Sequence, residues 1–180
     1  MKTLIICCSL SKNSKTNILS QYAENVFKIN GQDVELLELS DYQLPICDGR
    51  ECYLDPVVIL LNKKVEEADC IIFSCPIYVY DLSAVAKNLV ELTGRGTAWN
   101  KKSVGFICMA GTMASFMSVM PFANSLSFDY KCVIVPKFVY VTGTAFENNI
   151  LICENIKKRL SELADDVLIL GGVSQQLSGW

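Results

Sequence analysis

Three segments of the sequence are almost uninterrupted runs of six apolar residues: 3–8, 70–75 and 104–109. A run of this kind lacks the alternation of a half-exposed strand, so it indicates a strand that is buried on both faces. Strands buried in this way occur mainly in parallel sheets that are covered by helices on both sides. Two further strands are predicted over 34–39 and 132–141, with Pro136 marking a bulge or an edge position in the second.

Amphipathic segments separate these strands and predict five helices, because their apolar residues recur at helical spacing. The segments are 15–29, 56–68, 82–92, 113–126 and 149–163. Pro121 is expected to kink or divide the fourth. The alternation predicts an α/β fold: a doubly wound, five-stranded parallel sheet in the order 2-1-3-4-5, within three α/β/α layers. We expect a single domain over 1–180, in which Gly171-Gly172 releases a tail over 171–180.

Composition excludes several classes of function. The formal net charge is −3 and no basic stripe stands out, so we expect no nucleic-acid partner. No apolar stretch reaches the roughly 18–20 residues of a spanning helix, so we expect no membrane partner. The nine cysteines are odd in number, and six lie within or beside apolar runs, where cysteine behaves as a small hydrophobe. We therefore interpret the chain as a reduced, cytoplasmic protein.

The loop after the first strand is rich in hydrogen-bond donors. In a sheet of this strand order, ligands bind beyond the carboxyl ends of the first and third strands. The donors directly precede a predicted helix N-terminus, and they are Ser9, Ser11, Lys12, Ser14, Lys15, Thr16 and Asn17. A phosphate requires such donors and the positive end of a helix dipole. The alternative is that these residues merely cap the helix, but one cap needs one residue, so the pattern favours anion binding.

Three phosphate chemistries are disfavoured by what this loop lacks. Neither the Walker A spacing nor G-x-G-x-x-G is present, which argues against ATP and against a Rossmann-bound dinucleotide. A phosphatase needs an arginine in the loop to clamp the transferring group, and the first arginine of the chain is Arg50. Phosphatase activity is therefore disfavoured, as are ATP and a Rossmann-bound dinucleotide.

The loop after the third strand carries two tyrosines and flanking aliphatic residues. We expect it to form an apolar wall against a flat ring, and its residues are Pro76, Ile77, Tyr78, Val79 and Tyr80. The alternative is that a tyrosine simply packs on a neighbouring helix. A third loop, with Gly111 and Thr112, is expected to close the polar edge of the ring. A phosphate clamp beside a ring wall describes a mononucleotide, and FMN is the one most often bound at this switch point.

Both loops also match known patterns. The first is similar to G-S-x-R-x-x-S-x-x: Ser9, Ser14 and the pair Thr16-Asn17 match, whereas Cys8 and Ser11 stand where Gly and Arg are usual. The second is similar to P-x-Y-x-x-x-x-x-x-x-L-K-N. Its matching residues are Pro76, Tyr78, Lys87 and Asn88, with Ala86 in the place of Leu. These patterns belong to the NADPH-dependent FMN reductase family, which the chain resembles over almost its whole length.

The resemblance implies a flavodoxin-like fold, an FMN cofactor and NAD(P)H as co-substrate. The activity it implies is an FMN-dependent NAD(P)H oxidoreductase, which passes hydride from a nicotinamide to bound FMN and on to a flavin, quinone or similar small-molecule acceptor. In the family, the first loop holds the FMN phosphate and the second lines the isoalloxazine. Carried over, Lys12 and Lys15 replace the missing arginine as point charges. Relatives commonly form dimers or tetramers, so a homodimer or homotetramer is implied.

Two other functions stay open on the same fold: a flavodoxin-type FMN carrier that does not react with NAD(P)H, and a cofactor-free binding module. Because a flavin carries its own chemistry, no catalytic side chain is predicted. Cys47 and Cys52 lie where some relatives carry a cysteine cluster for iron–sulfur or redox use. Two cysteines, in a chain without histidine, fall short of the usual four ligands. We interpret them as loop thiols that are reduced or occasionally oxidised, with no metal site, although an intersubunit cluster stays open.

Overall fold

Strands and helices alternate along the chain. The computed structural model describes residues 1–176. The elements in chain order are β1 (Lys2–Cys7), α1 (Lys15–Ile29), β2 (Asp33–Glu38), α2 (Pro56–Glu67), β3 (Cys70–Tyr78), β4 (Asp81–Leu82), α3 (Ala84–Thr93), β5 (Ser103–Ala110), α4 (Met120–Tyr130), β6 (Val133–Ile134), β7 (Val139–Thr142), β8 (Phe146–Glu147), β9 (Ile150–Leu151) and α5 (Glu154–Gln176). Short 3₁₀ turns lie at 39–41, 51–54, 113–115 and 143–145.

The central sheet is parallel and has the order β2-β1-β3-β5, followed by β6 and β7, which both pair with β5. The predicted order 2-1-3-4-5 is therefore confirmed. The predicted fifth strand is divided, because residues between β6 and β7 leave the ladder around Pro136, which has no N–H to donate. Lys137 has a φ of 60° in this interruption. The carboxyl ends of β1, β3, β5 and β7 still meet at one edge of the sheet.

Helices cover both faces of the sheet, as the three predicted layers require. One face packs against α2, α3 and α4 around an aromatic group: Phe73 stacks on Trp99 with centroids 5.5 Å apart, and Phe122 meets Phe73 edge-on at 5.3 Å. The other face packs against α1 and α5, with Phe27 among its buried residues. Successive strand residues point to opposite faces, so Leu4 and Ile5 belong to different halves of the core.

The predicted helix over 113–126 is replaced by a 3₁₀ turn and a later helix. α4 begins at Met120 and ends at Tyr130, with Pro121 in its first turn, where the missing N–H breaks no intrahelical bond. Lys131 ends it in the left-handed conformation, with a φ of 55°. Pro121 therefore starts this helix instead of dividing it.

The predicted last helix over 149–163, with its tail from 171, is wrong at both ends. Its start is occupied by the β8–β9 hairpin, and α5 runs from Glu154 to Gln176. Gly171 marks a close contact instead of a helix end, because a Cβ there would lie 2.5 Å from the Cys70 sulfur. The rest of the predicted tail, 177–180, lies outside the described residues. Within residues 1–176, no helix combines the length and the apolar character that crossing a bilayer requires.

Candidate cofactor site

The loop after β1 leads directly into α1, and a single residue caps the helix. The Ser14 hydroxyl accepts the Asn17 backbone N–H at 3.1 Å, and the Ser14 N–H donates to the Ser11 carbonyl at 3.2 Å. Ser9 supports the turn, because its hydroxyl accepts the Ser11 N–H at 3.3 Å. Helix capping therefore explains why Ser14 is polar, but it does not explain the other hydrogen-bond donors of the loop.

Several donors at the start of α1 are free to meet an anion. Thr16 and Asn17 are 2% and 5% exposed, and their side chains make no hydrogen bond within residues 1–176, yet their polar atoms are not among the enclosed, unpartnered ones, so these atoms stay accessible. The first N–H groups of a helix have no intrahelical partner, and the Ser14 cap takes only that of Asn17. The first turn of α1 contains no acidic residue that would oppose an anion. Residues 9–17 are therefore a candidate anion site, called here the anion cradle.

The two lysines of the cradle point to different neighbours. The Lys12 ammonium lies 2.8 Å from the Asp41 carboxylate, and this contact raises the pKa of Lys12. Lys15 instead reaches the loop after β7, where its ammonium lies 5.5 Å from the centre of the Phe146 ring. Lys12 thus pairs with an exposed carboxylate, whereas Lys15 has no carboxylate partner within residues 1–176.

The loop after β3 is a tight β-hairpin. Pro76 and Ile77 are buried within β3, Tyr78 pairs with Asp81, and Val79 and Tyr80 form the two-residue turn. Their φ angles are 51° and 60°, the left-handed geometry that favours Asn-Gly. Valine is β-branched, so it adopts this conformation only at a cost in energy. Val79 is also 98% exposed, so packing within the chain does not explain why valine occupies this turn.

Replacing this turn by Asn-Gly (V79N/Y80G) is expected to raise the free energy of unfolding by roughly 1–2 kcal/mol, because both new residues tolerate a positive φ. Chemical denaturation of the unliganded protein measures it. The matched control is N149G in the β8–β9 hairpin, whose turn residues Asn148 and Asn149 have φ angles of 49° and 61° and should leave little strain to relieve. If V79N/Y80G were as stable as the wild type or less stable, the turn at Val79 and Tyr80 would not be strained.

The first two loops meet at the sheet edge. The Ser83 hydroxyl occupies the N-cap position of α3 but donates to the Cys8 carbonyl at 3.0 Å, and the Cys8 N–H donates to the Ser74 carbonyl at 2.8 Å. A groove of about 970 Å³ opens beside the hairpin, and Leu10 is the residue of the first loop that lines it. Its lining is mainly apolar and comes from Leu10, Tyr42, Leu44, Ile46, Tyr78, Val79, Asp81, Leu82, Ala84, Val85, Lys87, Asn88, Glu91, Pro121, Phe122 and Ser125. Tyr78 and Val79 are the predicted site residues among them.

The third loop lies beside this groove without lining it. Gly111 and Thr112 are exposed, and the Thr112 hydroxyl accepts the Ala114 N–H at 3.3 Å. The buried Tyr140 of β7 holds the loop from below, since its hydroxyl donates to the Thr112 carbonyl at 3.1 Å and hydrogen-bonds the Ser115 hydroxyl at 2.5 Å. Tyr140 thus anchors the third loop by two hydrogen bonds, and no atom lies within 4 Å of the position that a Cβ of Gly111 would take.

Sequence reasoning missed the wall that the segment 42–46 contributes to the groove. Its Tyr42, Leu44 and Ile46 follow the carboxyl end of β2, so the alternating apolar residues there were the available signal. Asn88 fixes this segment: its amide donates to the Pro45 carbonyl at 2.8 Å, and its carbonyl accepts the Cys47 N–H at 2.9 Å. Asn88 of the second motif thus holds the segment 45–47 in place by two hydrogen bonds.

Three thiols lie in a row beneath the groove on adjacent strands. They belong to Cys8, Cys75 and Cys108, and all are buried. Burial raises the pKa of Cys108 to about 12 and the pKa of Cys75 well above its usual range. Cys75 and Cys108 are therefore protonated core side chains and not nucleophiles. Within residues 1–176, no three His, Cys, Asp or Glu side chains lie together in a group that could ligate a metal.

A model of the NADPH-dependent FMN reductase family matches residues 1–147. The chain belongs to this family. The match confirms the predicted family, the oxidoreductase class, FMN as cofactor and NAD(P)H as electron donor. As in the family, the sheet is flavodoxin-like, with β1 and β3 flanking the switch point.

Relatives within and around the FMN reductase family carry related names. An NAD(P)H-dependent FAD/FMN reductase of Geobacillus thermodenitrificans is 28% identical over 139 residues, which are 76% of this chain and 74% of the relative. An NAD(P)H:quinone oxidoreductase of Solanum tuberosum is 30% identical over 115 residues, 62% of this chain. An iron-sulfur flavoprotein of Archaeoglobus fulgidus is 30% identical over 97 residues, 51% of this chain. The matched part is 59% of the Solanum protein and 48% of the Archaeoglobus protein, less than two thirds of each.

Solved structures of flavoenzymes share the fold. FerB, an NAD(P)H:(acceptor) oxidoreductase of Paracoccus denitrificans, has a TM-score of 0.76 at 18% identity, covering 98% of each chain. RosB, solved with bound 8-demethyl-8-formylriboflavin-5'-phosphate, has a TM-score of 0.78 at 16% identity, covering 98% of this chain and 81% of RosB. At these identities the likeness is one of fold.

The residues present in this member of the FMN reductase family fit FMN. The accessible polar atoms of Thr16 and Asn17 and the open N–H groups of α1 suit a phosphate. The groove falls within the range of roughly 300–1,000 Å³ that ligand pockets span, and its apolar lining suits a flat ring. Each half of the ligand thus meets the chemistry it requires.

Proposed function

We propose that the chain binds FMN across the cradle and the groove, and that it reduces a flavin or a quinone at the expense of NAD(P)H. One observation carries the proposal: the residues of the cradle and an apolar groove share one sheet edge, since Leu10 lies within residues 9–17 and also lines the groove. A phosphate and a flat ring on one molecule need this arrangement.

The proposed binding roles follow the two halves of the ligand. The phosphate is held by the start of α1 together with Ser9, Ser11, Ser14, Thr16 and Asn17. Lys15 supplies the nearby positive charge, and Lys12 stays a weaker candidate because it is paired with Asp41. Within the hairpin 76–80, Tyr78 and Val79 contact the ring together with Leu10, whereas Pro76, Ile77 and Tyr80 do not line the groove. Gly111 and Thr112 meet the polar edge of the ring. Thr16 and Asn17 carry most of the side-chain argument, since in the described part of the chain their side chains make no hydrogen bond and their polar atoms stay accessible.

When bound, FMN accepts hydride from the nicotinamide and returns the electron pair to the acceptor, so it supplies the redox chemistry itself. The chain's own residues bind and orient. Tyr78 and Val79 limit the positions that a ring can take in the groove, and Leu44 and Ile46 add apolar surface to its lining. Because no protein group has to move a proton in this proposal, the absence of histidine from the chain is no obstacle.

The acceptor class is proposed from the relatives. One is named an FAD/FMN reductase and another a quinone oxidoreductase, and both substrates are flat and conjugated. The groove has a volume of about 970 Å³ and is open to solvent along the exposed side chains of Tyr78 and Val79. A flat acceptor can therefore approach from that side, and we propose free flavin and quinones as the acceptors.

A titration of the purified protein with FMN, followed by anaerobic NADPH, tests this function. We expect FMN to bind, NADPH to bleach the visible flavin band, and an added quinone to restore it. The experiment uses the wild-type protein and not V79N/Y80G. A mixture of free FMN and NADPH without protein is the control for the uncatalysed reaction. Binding without bleaching would instead support a flavodoxin-type carrier, and a protein that takes up no FMN would support a cofactor-free binding module.

We also propose a cytoplasmic homodimer or homotetramer. Support for assembly comes from exposed apolar side chains near the sheet edge, among them Ile46, Met113, Phe116 and Met117. Support for the compartment comes from the nine free thiols, since extracellular proteins usually carry disulfides instead. The mass in solution by light scattering tests the assembly, and a monomer at micromolar concentration would contradict it.

A further inference from the structure

Two thiols lie together in the segment that joins the 3₁₀ turn after β2 to α2. The sulfur atoms of Cys47 and Cys52 are 4.0 Å apart. Cys47 is half-buried, whereas Cys52 is buried. Neither residue belongs to the proposed phosphate or ring contacts, so this thiol pair is a feature separate from the cofactor site.

A defined turn brings the two thiols together. The Asp48 carboxylate accepts the backbone N–H groups of Arg50 at 2.8 Å and Cys52 at 3.2 Å. Gly49 occupies the turn with a φ of 75°, which a residue with a side chain rarely adopts. The chain therefore reverses between the thiols, and the short separation of the sulfurs is built into the backbone.

Both thiols also rest on fixed supports. The Cys47 N–H donates to the Asn88 side chain of α3, and Cys52 packs with Val58 of α2 and Leu92 of α3. The Tyr53 hydroxyl lies 3.6 Å from the Cys47 sulfur. A disulfide bond is about 2.05 Å long, so the sulfurs need to approach by roughly 2 Å. The movement required is small and local to the turn.

The other cysteines of the chain are less suited to reaction. Cys8 and Cys75 also lie close together, but both are buried in the sheet. Cys153 is half-buried and lies before α5, on the other face of the sheet from Cys47. Cys47 thus combines partial exposure with a neighbouring thiol, which is the combination that disulfide formation needs.

We propose that Cys47 and Cys52 are a redox-active dithiol, which a small organic disulfide such as glutathione disulfide oxidises to an intramolecular disulfide. The Cys47 thiolate attacks a sulfur of the small disulfide, forms a mixed disulfide and releases one thiol. Cys52 then loses its proton and attacks the Cys47 sulfur, releasing the second thiol. The protein loses two electrons and two protons, and the small disulfide gains them.

The order of attack follows from exposure and charge. Cys47 is the more accessible sulfur, so it reacts first with a molecule from solution. Burial and the adjacent Asp48 carboxylate raise the pKa of Cys52, so its thiolate is less available for the first attack. Cys52 is therefore the resolving thiol. The segment 42–46, which lines the groove, directly precedes Cys47, so the disulfide holds the end of that wall to the turn before α2.

Thiol mapping after oxidation tests this proposal without any flavin. The folded protein is incubated with glutathione disulfide, unreacted thiols are alkylated in denaturant, and the intact mass and peptides are measured. We expect the wild type to lose two hydrogen atoms, to retain no glutathione and to link Cys47 with Cys52. C52S should retain one glutathione on Cys47, C47S should retain little, and C153S should behave as the wild type.

Other outcomes would overturn it. A wild type that keeps glutathione on Cys47 with a free Cys52, a disulfide that maps to another pair, or oxidation that occurs only in denaturant would each do so. Circular dichroism verifies that each variant is folded, and C52A replaces C52S if the serine destabilises the small cluster around Cys52. Trypsin digestion gives a second readout, because the oxidised form should be cleaved more slowly at Arg50.

Discussion

S11E is expected to weaken FMN binding by roughly 10- to 100-fold and to leave riboflavin binding nearly unchanged. Ser11 is exposed in the cradle, and its hydroxyl bonds no other group within residues 1–176, so the replacement should not disturb the fold. A phosphate monoester carries about −1.5 to −2 charges at neutral pH. A carboxylate added beside it costs about 1–3 kcal/mol where solvent screens the pair only in part. Riboflavin lacks the phosphate and does not experience this repulsion.

Isothermal titration with both ligands measures the effect. Q21E is the matched control, because it adds the same charge to an exposed position on α1 outside the cradle. Its affinity for FMN should stay within about twofold of the wild type. Raised salt should recover part of the loss in S11E, since it screens exposed charges. Equal weakening of FMN and riboflavin by S11E would show that the cradle does not hold the phosphate.

Y78A is expected to weaken FMN and riboflavin alike, again by roughly 10- to 100-fold. An aromatic ring that stacks on a flat heterocycle contributes about 1–3 kcal/mol, as alanine substitutions at nucleobase sites indicate. Tyr78 lines the groove and is 61% exposed, so its removal leaves no cavity in the core and little change in stability is expected. The two variants thus separate the halves of the ligand: one effect follows the phosphate and the other the ring.

Two aromatic residues serve as controls for Y78A. Y22A removes a tyrosine from α1, where the side chain packs against the other face of the sheet, and F128A removes an exposed ring from α4. Y22A should lower stability more than Y78A does, yet both controls should bind flavin as the wild type does. If Y22A weakened flavin binding as much as Y78A, the hairpin would not be the ring wall.

The sequence predicts the sheet well because burial on both faces leaves a clear pattern. β1, β3 and β5 are continuous apolar runs, and only a parallel sheet between helix layers accommodates three of them. The sequence-based predictions were wrong where tertiary contacts determine the end of an element. Gly171 has the local features of a helix end, but it lies inside α5 because the helix crosses close to Cys70 there. No local pattern reports such a crossing.

The candidate site likewise has a part that the sequence predicted and a part that it did not. The donors of the cradle and the tyrosines of the hairpin are contiguous in sequence, so their composition alone indicated a ligand. The pairing of Lys12 with Asp41 and the clamp of Asn88 on residues 45 and 47 join positions that are far apart in sequence. Long-range pairs of this kind depend on the relative positions of elements, which a single sequence does not supply.

The short helix α3 connects the two reactive regions of the molecule. Ser83, just before it, bonds the Cys8 carbonyl at the cradle, and Asn88 within it bonds the backbone of Cys47. With ten residues the helix is about 15 Å long, too short to curve appreciably. Helix α3 is therefore one short, straight element that lies between the loop after β1 and the loop that carries the thiol pair.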